Sequence, residues 1–107
     1  MADAGYTGTA NKVTSNAKVV AAIGKVQVKR IIVTNVDSAV RYLQTFDALT
    51  ANVTVGTTDP TMVYAIPATD SRVIELDKVY ETGLVYAVTT TSTTNTGPTE
   101  VWVEVET

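Results

Sequence analysis

The chain contains no cysteine and no histidine. The first absence excludes disulfides, thiolate nucleophiles and cysteine-based metal sites. The second removes the most frequent general base and the commonest metal ligand. Carboxylates, lysines and tyrosines are left for any acid–base work. Long hydrophobic runs are also missing, and no apolar stretch approaches the ~20 residues of a membrane-spanning helix. Asp3 stands where a secretory leader would carry positive charge, and no apolar segment follows it, so an origin in the cytoplasm is expected. Basic residues are sparse. The net charge is -3 and no cluster exceeds Lys29-Arg30, which argues against nucleic acid as a partner. Without disulfides, a domain of 107 residues relies on its own packing, on oligomerisation or on docking to a larger body.

What is abundant is valine and threonine. With isoleucine, these β-branched residues make up about two-fifths of the chain. They are stiff at χ1 and favour a pleated surface over a helix. The segment Glu100-Val101-Trp102-Val103-Glu104-Val105-Glu106 alternates without a fault. In a strand this places Val101, Val103 and Val105 on one face and Glu100, Trp102, Glu104 and Glu106 on the other. One buried and one wet face is the pattern of an antiparallel sheet.

Further strands are expected over residues 25–36, 39–46, 62–66, 72–76 and 84–90. The apolar parity slips near Arg30, which suggests a bulge or a stretch covered on both sides. Residues 35–38 carry turn chemistry and predict a hairpin between the first and second of these strands. Residues 13–23 read as strand and turn rather than helix. The stretch from Thr89 to Pro98 is a polar, threonine-rich loop. Residues 1–12 are small and polar and read as an extended arm anchored only by Tyr6. The prediction is all-β: an arm over 1–12, then one antiparallel β-sandwich over 13–107. It has about seven strands in jelly-roll or immunoglobulin-like topology.

Candidate chemistry is thin. Glu104 and Glu106 project from one face about 7 Å apart, a spacing a glycosidase could use, but they read as solubilising charges on an outer face. Asp47, Asp59 and Asp70 each sit beside turn formers and lack the dense spacing of a calcium loop. Val55-Gly56-Thr57-Thr58 has no following lysine, so it is no phosphate loop. Ser15 and Lys18 could form a dyad by spacing alone. No catalytic residue, cofactor or metal ligand is assigned, and an enzyme is not expected. Tyr42, Phe46, Tyr64 and Tyr86 read as core or core margin. Trp102 stands apart on a wet face, and tryptophan is enriched at interfaces because it joins apolar area to one donor. Trp102, Glu104 beside it and Tyr6 in the arm are the candidate interface residues.

Several segments recur in order. Lys29-Arg30-Ile31-Ile32-Val33-Thr34-Asn35 is followed by Ala39-Val40-Arg41-Tyr42-Leu43-Gln44-Thr45-Phe46-Asp47. Val55-Gly56-Thr57-Thr58-Asp59-Pro60, Ala65-Ile66-Pro67-Ala68 and Thr82-Gly83-Leu84-Val85-Tyr86-Ala87-Val88-Thr89-Thr90 come after. Over roughly residues 25 to 105 this order resembles small β-rich structural proteins of tailed bacteriophages, some of which decorate or cement the capsid. The resemblance implies a virion protein made in the host cytoplasm, with the major capsid protein as partner and a dimer or trimer as its assembly. Neither nucleic acid nor membrane is an expected partner. A tail, fibre or head–tail adaptor role and a carbohydrate-binding sandwich are the alternatives.

Overall fold

The computed structural model describes residues 10–91 and 96–107. Alternating β-branched residues form eight strands within them. These are β1 (Asn11–Val13), β2 (Val19–Ile23), β3 (Val26–Asn35), β4 (Arg41–Asp47), β5 (Met62–Ile66), β6 (Asp70–Tyr80), β7 (Gly83–Thr89) and β8 (Val101–Glu106). They make two four-stranded sheets, ordered β1-β8-β3-β6 and β2-β7-β4-β5. Every pairing is antiparallel. The pairs β1 with β8, β2 with β7, β3 with β6 and β4 with β5 nest inside one another, as if one long hairpin had been rolled up. This is the jelly-roll topology. An immunoglobulin-like sandwich would instead keep its first two strands in one sheet.

The strand count is eight, not seven, because Asn11 to Val13 already pair with Val103 to Val101. Asn11 and Lys12, read in sequence as arm, therefore belong to an edge strand. The expected β3–β4 hairpin is absent: β3 pairs with β6 and β8, and β4 with β5 and β7. Residues 36–40 turn a corner between sheets, and the same turn residues serve either purpose. β6 also runs four residues past its expected end at Leu76. Residues 77–82 read as a connection, yet Lys78, Val79 and Tyr80 continue the ladder opposite Val28, Gln27 and Val26.

Lys29 marks an irregularity in the β3–β6 register, where Leu76 and Asp77 stand opposite it. Asp77 takes φ 48°, a left-handed conformation that Asp tolerates better than most residues. The irregularity lets Val28 and Ile31 both point inward, although they are three residues apart, and it turns Arg30 outward. The main core lies between the sheets, built on Val28, Ile31, Val33, Leu43, Leu84 and Tyr80. Tyr80 and Thr45 are both wholly buried and share a hydrogen bond of 2.8 Å, which satisfies two hydroxyls inside the core.

A second, smaller cluster lies outside the second sheet. Phe46, Val53, Val85 and Ala87 form it, with Ala48 and Val55 packed against them. The long β4–β5 connection thus folds back over its own sheet, and a short 3-10 turn (Thr50–Asn52) sits within it. Lys18 Nζ pins that turn by donating to the carbonyls of Thr50 and Val53. β7 is consequently buried on both faces along its whole length. Gly97 lies in the β7–β8 connection: a Cβ there would collide with the backbone of Ser15 and Asn16, so only glycine allows this approach. Phe46→Ala is expected to cost about 3 to 5 kcal/mol. The drop should appear as a lower urea midpoint, with the 48–61 loop becoming sensitive to protease.

Candidate functional site

The outer face of the β1-β8-β3-β6 sheet carries the candidate interface residues, and the register fixes their layout. One row across the strands reads Lys12, Trp102, Thr34, Ser71. The next reads Glu104, Ile32, Val73, and the third Glu106, Arg30, Glu75. Trp102 is half-buried. Its indole Nε1 donates to Glu100 Oε2 at 2.8 Å, and Lys12 Nζ stands 5.9 Å from the ring centroid. A carboxylate thus holds the ring by its edge and a cation by its face. Thr34 and Ser71 share a 2.6 Å hydrogen bond beside it.

In the middle row Ile32 and Val73 lie directly opposite each other, and Val73 is 55% exposed. These two β-branched residues lie between the Thr34–Ser71 hydroxyls and the Arg30–Glu75 pair, with Glu104 alongside, an apolar centre with a polar rim as in protein interfaces.

The third row corrects an expectation. Glu106 shares the outer face with Glu104, yet its side chain is only 4% exposed, so it is no solubilising charge. Arg30 stands directly across, with Nε 3.2 Å from Glu106 Oε1 and 3.6 Å from Glu75 Oε1. Burial pushes the Glu106 carboxyl up. Arg30 pulls it back, Glu104 and Glu75 add to the rise, and it stays above its ordinary value. Its charged form is costly in the fold, and acidification through the raised pKa relieves that cost.

Two aspartates tie the loops at opposite ends of the sandwich. Asp37 accepts from the Thr99 and Glu100 amides and from Arg41 Nε, each at 2.8 Å. Asn35 Nδ2 donates to the carbonyls of Ala39, Ile66 and Pro67, while its Oδ1 receives the Asp37 amide. At the other end Asp47 accepts from the amides of Glu81, Thr82 and Gly83. Burial raises both carboxyls, but the amide donors and the facing cations, Arg41 and Lys78, outweigh it, and both pKa values fall below the ordinary 3.8.

The remaining candidates are scattered. Asp47, Asp59 and Asp70 do not converge, and no group of three carboxylates among the described residues could hold a metal ion. Asp70 instead accepts from the Ser71 amide and from Arg72. Ser15 Oγ accepts from the Ala17 amide and Lys18 is committed to the β4–β5 turn, so no dyad forms between them. Tyr86 is core, its hydroxyl accepting from Asn11 Nδ2 at 3.1 Å, and Phe46 anchors the second cluster. Tyr64 packs against the main core and Tyr42 is half-buried. Tyr6 lies outside the described residues. Arg30, Ile32 and Val73 were not singled out as surface residues from sequence, though the parity slip at Arg30 was their signal. Compared with family models, curated proteins and solved structures, the chain matches none.

The two aspartates make the fold sensitive to acid. Their stabilisation is complete above pH 3.8 and is lost as pH falls through their lowered values. Asp37→Asn should cost on the order of 3 kcal/mol at pH 7, because Arg41 and two amides lose a charged acceptor. Urea titrations from pH 7 to pH 2 should show the gap to the parent closing below pH 3.8.

Proposed function

We propose that the chain is a structural protein of a tailed-bacteriophage virion, a decoration protein seated on the outer surface of the major capsid protein lattice. The observation that carries this reading is the outer face around Trp102, where Ile32 and Val73 form an apolar centre inside a rim of Lys12, Arg30, Glu75 and Glu104. The ordered likeness of residues 25 to 105 to phage structural proteins supports it. So does the double-sheet jelly roll, which recurs among viral capsid domains. Fold alone gives no function, so the weight rests on the face.

The face binds by burial of apolar surface, at about 25 cal/mol per Å². Charged rim residues set orientation and exclude wrong partners. Each contact is weak alone, and many copies on a repeating lattice add up through avidity. Bound over joints between capsid subunits, such copies would oppose internal pressure. The action is mechanical, with no cofactor and no turnover. A sugar-binding module would set a second aromatic beside Trp102. Lys12 and Thr34 occupy those positions instead.

Two variants test the reading. Trp102→Ala removes the large aromatic beside the apolar centre of the face. Deletion of residues 1–9 removes Tyr6 but spares β1, which pairs with β8. Co-sedimentation with heads assembled from the major capsid protein of the same genome should show Trp102→Ala binding ~30-fold more weakly, the scale of a 2 kcal/mol hot spot. Its melting temperature should stay close to the parent's. Binding equal to the parent for both variants would show that another surface, or another location such as the tail, is used. Gold labelling of the chain in intact particles separates head from tail.

A further inference from the structure

β6 forms one free edge of the first sheet and is its longest strand, with eleven residues. One side pairs with β3, and among the described residues no strand of the same sheet pairs with the other. A strand edge of this kind offers a row of unpaired amides and carbonyls to another chain. From Asp70 to Glu75 its register with β3 is regular, and the irregularity opposite Lys29 begins after that. An open groove between β5 and β6, lined by Tyr64, Ile66, Arg72 and Ile74, leaves room alongside the edge.

Charges usually keep such edges apart. Here they are answered within the chain: Arg72 Nε lies 3.0 Å from Asp70 Oδ2, and Arg30 Nε lies 3.6 Å from Glu75 Oε1. Antiparallel pairing of the edge with a second copy must keep like faces together, which allows only every second register. Two such registers stay within the regular stretch. One sets Arg72 against the copy's Arg72, and like charges directly opposite are unfavourable. The other sets Val73 on Val73, Ser71 on Glu75 and Arg72 on Ile74, with no like charges directly opposed.

We propose that two copies of the chain pair edge to edge through β6, antiparallel and about a twofold axis at Val73. The four-stranded first sheets of the two copies then form one continuous sheet of eight strands. The row Glu104, Ile32, Val73 runs on into Val73, Ile32, Glu104 of the copy, so the most exposed valine of the face gains an apolar neighbour. The pairing is independent of the capsid reading, because it leaves Trp102 uncovered and needs no lattice.

Sedimentation equilibrium of the full chain, from micromolar to millimolar, should give twice the chain mass at the upper end. Val73→Lys, at an exposed position, should keep the parent's melting curve and raise the dimer dissociation constant at least tenfold. The chain has no native cysteine, so Val73→Cys places a single thiol on the axis, where opposed Cβ atoms lie about 4.5 to 5.5 Å apart. Mild oxidation should link it into a dimer at least tenfold faster than Val79→Cys, on the same strand beyond the irregularity. A monomer at every concentration, a dimer that survives Val73→Lys, or equal cross-linking at positions 73 and 79 would overturn the proposal.

Discussion

Asn35 and Asp37 hold the corner on which the nested pairing depends. Six of the seven connections carry the chain from one sheet to the other, and only β4 to β5 stays within a sheet. Each crossing leaves backbone groups that no ladder satisfies. At the β3–β4 corner the Asn35 amide takes three of them, including two carbonyls from the end of β5 and the residue after it. Asp37 takes two amides from the approach to β8. Three connections distant in sequence are thus locked by two neighbouring side chains. Asp47 repeats the device at the other end, capping the β6–β7 turn. Buried carboxylates would be a liability if unpaired. Here amide donors and one guanidinium outweigh the desolvation, so the charges become fasteners.

The two sheets are then treated unequally. The second is covered on its outer side by the β4–β5 connection, which brings Val53 and Val55 onto Phe46, Val85 and Ala87. The first has no such cover among the described residues, and its outer side keeps Trp102, Ile32 and Val73 in partial contact with solvent. β3 supplies the centre of that side because the irregularity at Lys29 rotates Arg30 outward while keeping Val28 and Ile31 inside. Core and surface are therefore coupled through a single residue step.

Much of this was legible in the sequence. The alternation of residues 100–106 placed Val101 and Val103 in the core and Trp102 outside, because a period of two has one reading in a half-buried strand. The parity slip near Arg30 marked the register shift. What failed did so for local reasons. Asn35 to Ser38 has the composition of a hairpin turn, and nothing in four residues says whether the chain returns to the same sheet or crosses to another. Asp77 and Lys78 look like loop residues, which hid the buried Tyr80 behind them. Val53 and Val55 looked stranded in a loop because their partners lie on strands far along the chain. Glu106 completed a polar face by pattern, and only the register shows that Arg30 stands across from it.

The molecule measures 32 × 32 × 18 Å, a plate rather than a ball. One broad side is already occupied by the chain's own connection, so the plate has a front and a back. A copy laid upside down would offer its neighbour mostly threonine, alanine and asparagine from residues 50–58. The two broad sides therefore differ in chemistry: one keeps Trp102, Ile32 and Val73 in contact with solvent, and the other is closed over Phe46, Val85 and Ala87 by the 48–61 connection.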